Sequence, residues 1–200
     1  MELPQALAQI AEIRAQAAKT EIYRGYRSVP VAGSGLIGLL AAWLQPAGLR
    51  SDPERFVLYW VAVAVCAGFV GVSEILYNYV VHDDAVGRRR TLRVGGQLLP
   101  SLVGGALITA SLVHSSVTFI PLLPGLWALA FGVGIFASRH YLVRASGWVA
   151  LYFYAAGAVL LWTANGPHTL SPWAVGGTFG VGQLFTAAVL YWNLEQEDER

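Results

Sequence analysis

The chain has 200 residues, of which 56% are hydrophobic and only 12% are charged, and its formal net charge is +1. This composition excludes an ordinary soluble domain, in which about 25% of residues are charged, and a nucleic-acid binder, which would show a marked basic excess. The single cysteine, Cys66, excludes an internal disulfide and lies in an apolar run typical of a small buried residue. The expected solvent of this chain is therefore lipid.

The first 28 residues are polar and of mixed charge, and they lack the apolar core of a signal peptide. Pro4 suits a first helical turn, and Leu3, Leu7 and Ile10 fall on one face of a helix. We expect a cytoplasmic amphipathic helix over residues 1–28. Its apolar face is narrow, which favours packing under the bundle or contact with a partner protein over membrane insertion.

Long uncharged runs follow this segment. A helix needs about 20 apolar residues to cross roughly 30 Å of hydrocarbon. The runs over residues 28–49 and 56–82 each allow one crossing, and only Glu74 interrupts the second. The runs over residues 94–138 and 145–194 each allow two crossings, divided by a turn rich in Pro, Ser and His. The sequence predicts six spans, over about residues 29–48, 56–81, 95–114, 120–138, 145–164 and 172–193.

The basic residues predict the orientation of these spans. With six spans both termini lie on one side, and that side holds all of the 13 Lys and Arg residues except Arg50 and Arg55. Positively charged loops stay in the cytoplasm, so we expect both termini inside a plasma (inner) membrane, with a cytoplasmic tail over residues 195–200. Trp and Tyr residues favour the two membrane interfaces, and those expected at the outer one are Trp43, Tyr59, Trp60, Trp162 and Trp173.

The six spans group into three helical hairpins whose returning helices share a pattern. Each returning helix begins near a tryptophan, which is Trp60, Trp127 or Trp173, and continues with a glycine-rich stretch. A true internal repeat and a chance likeness between Gly-rich helices are both open. The expected fold is all-α: an integral membrane bundle of six transmembrane helices in three hairpins, preceded by the cytoplasmic amphipathic helix.

Small residues recur at a spacing of four within the spans. Such pairs let two helix backbones approach closely where lipid supplies no hydrophobic drive to associate. No glycine-rich turn is followed by the lysine of a phosphate-binding loop. The glycines are therefore predicted to be packing devices, and the pairs are Ala67 with Gly71, Ser101 with Gly105, Ala128 with Gly132, Ala130 with Gly134, and Gly176 with Gly180.

Glu74 is the one Asp, Glu, Lys or Arg residue within the predicted spans. A charged side chain costs about 2.5–3.5 kcal/mol at the centre of a bilayer on insertion scales, and it marks a functional site by default. Asn78 lies one helical turn further on, and Gln183 lies in the middle of the sixth span. Glu74, Asn78 and Gln183 are the candidate ligand or ion site, and a structural clamp between helices is the alternative.

The remaining motifs point to membrane contact more than to chemistry. Four arginines, Arg88, Arg89, Arg90 and Arg93, lie in the expected loop after the second span, where each would attract anionic lipid headgroups by about 1 kcal/mol. The four histidines are scattered and show no metal-ligand spacing, so neither a metal nor a cofactor is expected.

The leading hypothesis for the function is a non-enzymatic membrane module. It would bind a lipid-like ligand, or a protein partner through the N-terminal helix, and no nucleic acid. The alternative is a small-solute or proton- or cation-coupled transporter or channel that uses Glu74. An intramembrane enzyme comes third, because only Glu74, Asn78 and Gln183 are available as chemical groups within the spans. The ligand and the oligomeric state are open.

Overall fold

The computed structural model describes residues 27–81, 85–139, 141–165 and 170–195. These ranges are helical and contain no strand. Two short 3₁₀ helices, Ala47–Arg50 and Val117–Leu122, and one π-helical turn, Tyr191–Glu195, accompany the α-helices. The six described α-helices are α1 (Ser28–Leu44), α2 (Pro53–Val81), α3 (Ala85–Ser115), α4 (Leu123–Ser138), α5 (Ser146–Trp162) and α6 (Pro172–Leu190).

Four helical segments are long and apolar enough to cross a membrane, which confirms the prediction of a helical membrane protein. Helices α1 and α5 are apolar but have only 17 residues each. At 1.5 Å per residue they are about 26 Å long, against roughly 30 Å of hydrocarbon. The count of six spans therefore stays a prediction, while the four long segments are Pro53–Ser73, Gly95–Ser115, Val117–Ser138 and Pro172–Asn193.

Helix α3 begins at Ala85, about ten residues before the predicted span and inside the expected basic loop. The expectation of a loop was wrong for this backbone, because arginine and leucine are good helix formers and a membrane helix need not stop where the hydrocarbon ends. The apolar part of the helix begins at Gly95, where the span was predicted to begin.

The terminal predictions fall largely outside the described residues. Of the expected amphipathic helix over residues 1–28, the structure describes Arg27 and Ser28, and of the tail over residues 195–200 it describes Glu195. The side chains of Arg88, Arg89, Arg90 and Arg93 also lie outside the described part.

Helices α1, α4, α5 and α6 form the core of the bundle, and α2 and α3 flank it. The most extensive helix contacts are between α1 and α6 and between α4 and α5. Helix α2 packs on the outside of α1, and α3 packs on the outside of α4. Accordingly, the apolar segment of α3 contains no buried residue.

One apolar cluster fixes the directions of the helices. It joins the end of α1 to the beginnings of α2, α4 and α6, through Ala42, Phe56, Trp60, Trp127 and Val175. Helices α2, α4 and α6 therefore run parallel to one another and antiparallel to α1. We call this end of the bundle, which holds Trp60 and Trp127, the tryptophan end.

Glycines let α1 and α6 approach backbone to backbone. A Cβ atom added to Gly180 would lie 2.6 Å from Leu39 Cγ and 3.0 Å from the carbonyl oxygen of Gly35. A Cβ atom added to Gly176 would collide with the carbonyl oxygen of Gly38. The predicted pair of Gly176 and Gly180 is thus a packing device, as small residues at this spacing are in membrane helices.

Two further predicted pairs face each other between α3 and α4. A Cβ atom added to Gly134 would lie 3.0 Å from Ser101 Cβ, and one added to Gly105 would lie 4.0 Å from Ala130 Cβ. The earlier residue of α3, Ser101, meets the later residue of α4, Gly134, and the later residue Gly105 meets the earlier Ala130. Helix α3 is therefore antiparallel to α4.

Candidate functional site

Two tryptophan side chains donate hydrogen bonds to polar side chains at the tryptophan end. Trp60 Nε1 donates a hydrogen bond of 2.9 Å to Gln45 Oε1, and Trp127 Nε1 donates one of 2.8 Å to Thr109 Oγ1. Each bond joins a helix to the one before it, α2 to the end of α1 and α4 to α3. Gln45 Nε2 is buried and has no partner in the described part of the chain. These hydrogen bonds hold neighbouring helices together.

Gln183, a predicted site residue, lies on α6 beside α1. A Cβ atom added to Gly35 would lie 3.1 Å from Gln183 Cβ. Gln183 Oε1 is buried and accepts no hydrogen bond from any residue that the structure describes. An unpaired buried acceptor costs about 1–3 kcal/mol, and hydrocarbon offers no water to replace the missing donor. This oxygen is therefore available to a ligand.

Glu74 and Asn78, the other two predicted site residues, lie on α2, and their side chains are outside the described part. The backbone register still fixes their level. Gly71 packs on Ser34, since an added Cβ atom would lie 3.5 Å from Ser34 Cβ. Ser34 directly precedes Gly35, the residue that Gln183 contacts, so position 74 lies about four residues, or about 6 Å, beyond the level of Gln183.

Position 74 also shares a helix face with residues that pack on the bundle. It follows Trp60 and Ala67 at steps of seven residues, which is close to two full helical turns. Trp60 is only 3% exposed. The structure thus places the three predicted site residues on two helices that flank α1, with position 74 nearer than position 78 to the level of Gln183.

Ser138, at the end of α4, is a third polar group without a partner among the described residues, and the sequence did not predict it. The residue is 0% exposed, and its Oγ atom makes no hydrogen bond within the described ranges. A serine that ends an apolar helix is common, so its type gave no signal; only its burial sets it apart.

Three phenylalanines from α4, α5 and α6 meet in the middle of the bundle. The ring centroids of Phe131 and Phe153 are 4.9 Å apart, those of Phe153 and Phe179 5.4 Å, and those of Phe131 and Phe179 5.7 Å. These distances and the tilted geometry are those of favourable aromatic contacts. We call these residues the phenylalanine cluster; it lies between the tryptophan end and the level of Gln183.

An apolar groove of about 300 Å³ runs between the beginning of α1 and the end of α6, at the end of the bundle opposite the tryptophan end. The π-helical turn Tyr191–Glu195 is wider than an α-helical turn and carries two aromatic residues into this groove. Asn193 Nδ2 stabilises the turn by donating a 2.8 Å hydrogen bond to the carbonyl oxygen of Val189. The groove is lined by Ser28, Val29, Ala32, Ala187, Ala188, Tyr191 and Trp192.

Among the described residues, no group of three or more His, Cys, Asp or Glu side chains could hold a metal ion. Comparison of the chain with protein families, with curated proteins and with solved structures finds no match in any of the three. The function therefore has to follow from the chemistry of the groove and of the bundle interior.

Proposed function

We propose that the protein crosses the membrane six times, as three hairpins with both termini in the cytoplasm, and binds a lipid-like ligand in the groove between α1 and α6. The alternating helix directions and the positive-inside distribution of Lys and Arg support this topology. The short helices α1 and α5 belong to the core, and a bilayer adapts to a span a few ångströms too short at modest cost.

The apolar groove is the observation that carries the ligand proposal. Its lining is almost entirely carbon, and it is open rather than enclosed, as a groove filled from surrounding lipid would be. A volume of about 300 Å³ is at the lower limit for ligand pockets, about 300–1,000 Å³. This space suits one acyl chain better than a whole lipid.

Aromatic and basic side chains near the groove could contact the polar headgroup of such a ligand. Tyr191 and Trp192 are exposed, as residues of an interfacial belt are. Arg27 directly precedes the first residue of the groove and is exposed. An anionic headgroup at this level would gain about 1 kcal/mol for each nearby basic side chain.

Filling the groove should abolish lipid binding. Ala188→Leu and Ala32→Leu add carbon to its walls, and each should lower labelling by a photoactivatable phospholipid in nanodiscs by about tenfold or more, as expected for the loss of about 1.4 kcal/mol of contact. The matched control is Ala62→Leu, at an exposed position of α2, which should label like the wild type. Equal labelling of all four proteins would refute the groove as the binding site.

Transport is the second candidate function, and the unpaired oxygen of Gln183 favours it. An unpaired acceptor near the level of an intramembrane acid suits a proton or cation pathway. The purified protein in liposomes would then move a solute or proton, and Glu74→Gln would abolish the turnover. Such a result would replace the non-enzymatic binding module as the main function.

We also propose two cytoplasmic contacts. The N-terminal helix would bind a protein partner, and the arginines at positions 88–93 would bind anionic lipid. Both would lie on the cytoplasmic side in the six-span topology. Their support is the sequence pattern alone.

A further inference from the structure

We infer that the bundle interior around Gln183 and Ser138 is a site for a small species that binds to oxygen atoms, either an ordered water molecule or Na⁺. The site lies just beyond the phenylalanine cluster, on the side away from the tryptophan end. The inference does not depend on the lipid groove, which lies elsewhere between α1 and α6.

Two unpaired oxygen atoms carry the inference. Gln183 Oε1 and Ser138 Oγ are both buried and have no partner among the described residues. Buried polar atoms in folded proteins are nearly always paired, with protein groups or with ordered water, and a buried water molecule typically makes about three hydrogen bonds to such atoms. An ordered water molecule or a cation at these atoms would supply the partner that each of them lacks among the described residues.

The two atoms lie at neighbouring depths. Helices α4 and α6 run parallel and touch through Phe131 and Phe179. Ser138 is seven residues beyond Phe131, and Gln183 is four beyond Phe179. The difference of three residues corresponds to about 4.5 Å along the axis. Neighbours of both residues, Ile135 and Ala187, belong to one apolar cluster.

Ser34 adds a third oxygen at this depth. It is buried, and its Oγ atom donates a 2.7 Å hydrogen bond to the carbonyl oxygen of Val31, which leaves the hydroxyl free to accept. Position 74 of α2 follows within a turn of Gly71, which packs on Ser34. The described polar atoms at this depth that can accept are oxygen atoms, which suit water or a hard monovalent cation.

The phenylalanine cluster closes the site toward the tryptophan end. Its three rings come from three helices and leave centroid distances of 4.9–5.7 Å. Beyond the rings, Trp60 and Trp127 already have their hydrogen-bond acceptors. A polar occupant near Gln183 is therefore separated from that end by a layer of aromatic carbon.

Thermal unfolding of the full chain in nanodiscs tests the site. Replacing an unpaired buried polar group by an apolar one of similar shape is neutral or stabilising, whereas removing a paired one is destabilising. If the site is occupied, Ser138→Ala and Gln183→Met should each lower the Tm by about 2–4 °C or more. The matched control Ser73→Ala removes an exposed hydroxyl bonded within its own helix and should leave the Tm nearly unchanged.

The choice of salt separates the two occupants. Na⁺ binding would raise the wild-type Tm when NaCl replaces choline chloride, because a ligand of the native state stabilises it by mass action, and Gln183→Met would remove that rise. Bound water would give the losses in Tm without any dependence on Na⁺. An increase in Tm for both Ser138→Ala and Gln183→Met would show that the interior is dry and would overturn the inference. These variants leave the groove intact, so labelling by the photoactivatable phospholipid would still report on lipid binding separately.

Discussion

At the scale of single residues, Trp60 shows how burial changes a role. Its position predicts an interfacial belt residue, but it is 3% exposed and donates to Gln45. Its indole ring packs inside the bundle because Gly176 of α6 leaves room for it: the ring edge would lie 2.6 Å from a Cβ atom added there. Trp43, Trp162 and Trp173 are exposed, as the belt prediction requires.

We expect Trp60→Phe to destabilise the protein. The change removes the indole N–H and leaves Gln45 Oε1 unpaired in a buried position, which should cost about 1–3 kcal/mol and lower the Tm by at least about 2 °C in a protein of this size. Trp173→Phe, at a side chain that is 53% exposed, is the control and should change the Tm little. A Trp60→Phe variant as stable as the control would mean that this hydrogen bond contributes nothing.

The candidate site could be predicted from the sequence only in part. Glu74 and Gln183 stand out because polar side chains are rare in the spans, whereas Ser138 does not, since serine is ordinary in membrane helices. Nor could the sequence show whether Gln183 is hydrogen-bonded to a neighbouring helix or has an unpaired oxygen atom. That difference depends on whether a donor lies within about 3 Å of Gln183 Oε1, which is a property of the packing.

At the scale of the helices, glycine decides which pairs come close. Between α4 and α5, a Cβ atom on Gly125 would lie 2.9 Å from the carbonyl oxygen of Gly157, and one on Gly157 equally close to that of Gly125. The sequence predicts that small residues pack, because their spacing of four is visible. It does not predict that α1 pairs with α6, because glycines on any two helices fit one another equally well.

Alanine substitutions should separate packed from exposed glycines. Gly180→Ala places a methyl group 2.6 Å from Leu39 Cγ, and such overpacking typically costs about 1–3 kcal/mol. Gly68→Ala is the matched control, because a Cβ atom there meets nothing within 4 Å, and alanine is the better helix former by up to about 1 kcal/mol. Thermal unfolding should therefore show a lower Tm for the first and an equal or higher Tm for the second. The reverse order would contradict the α1–α6 contact.

At the scale of the whole molecule, the contact between α1 and α6 brings the first and last described helices together and closes the core. Four segments are long enough to span, so the topology depends on whether each of α1 and α5 also crosses the membrane. If α1 and α5 cross, residues on either side of each lie on opposite faces of the membrane. If α5 does not cross, residues 144 and 165 lie on the same side of the membrane. If α1 does not cross, Arg27 and Gly48 lie on the same side.

Cysteine labelling in intact cells tests the six-span topology most directly. Single cysteines at Gly48, Arg144 and Asn165, all exposed, would be placed in a Cys66→Ala background and treated with a membrane-impermeant maleimide. Six spans with both termini inside predict that positions 48 and 165 are labelled in intact cells and that position 144 is labelled only after the cells are opened. Labelling of positions 144 and 165 on the same side would contradict the six-span account.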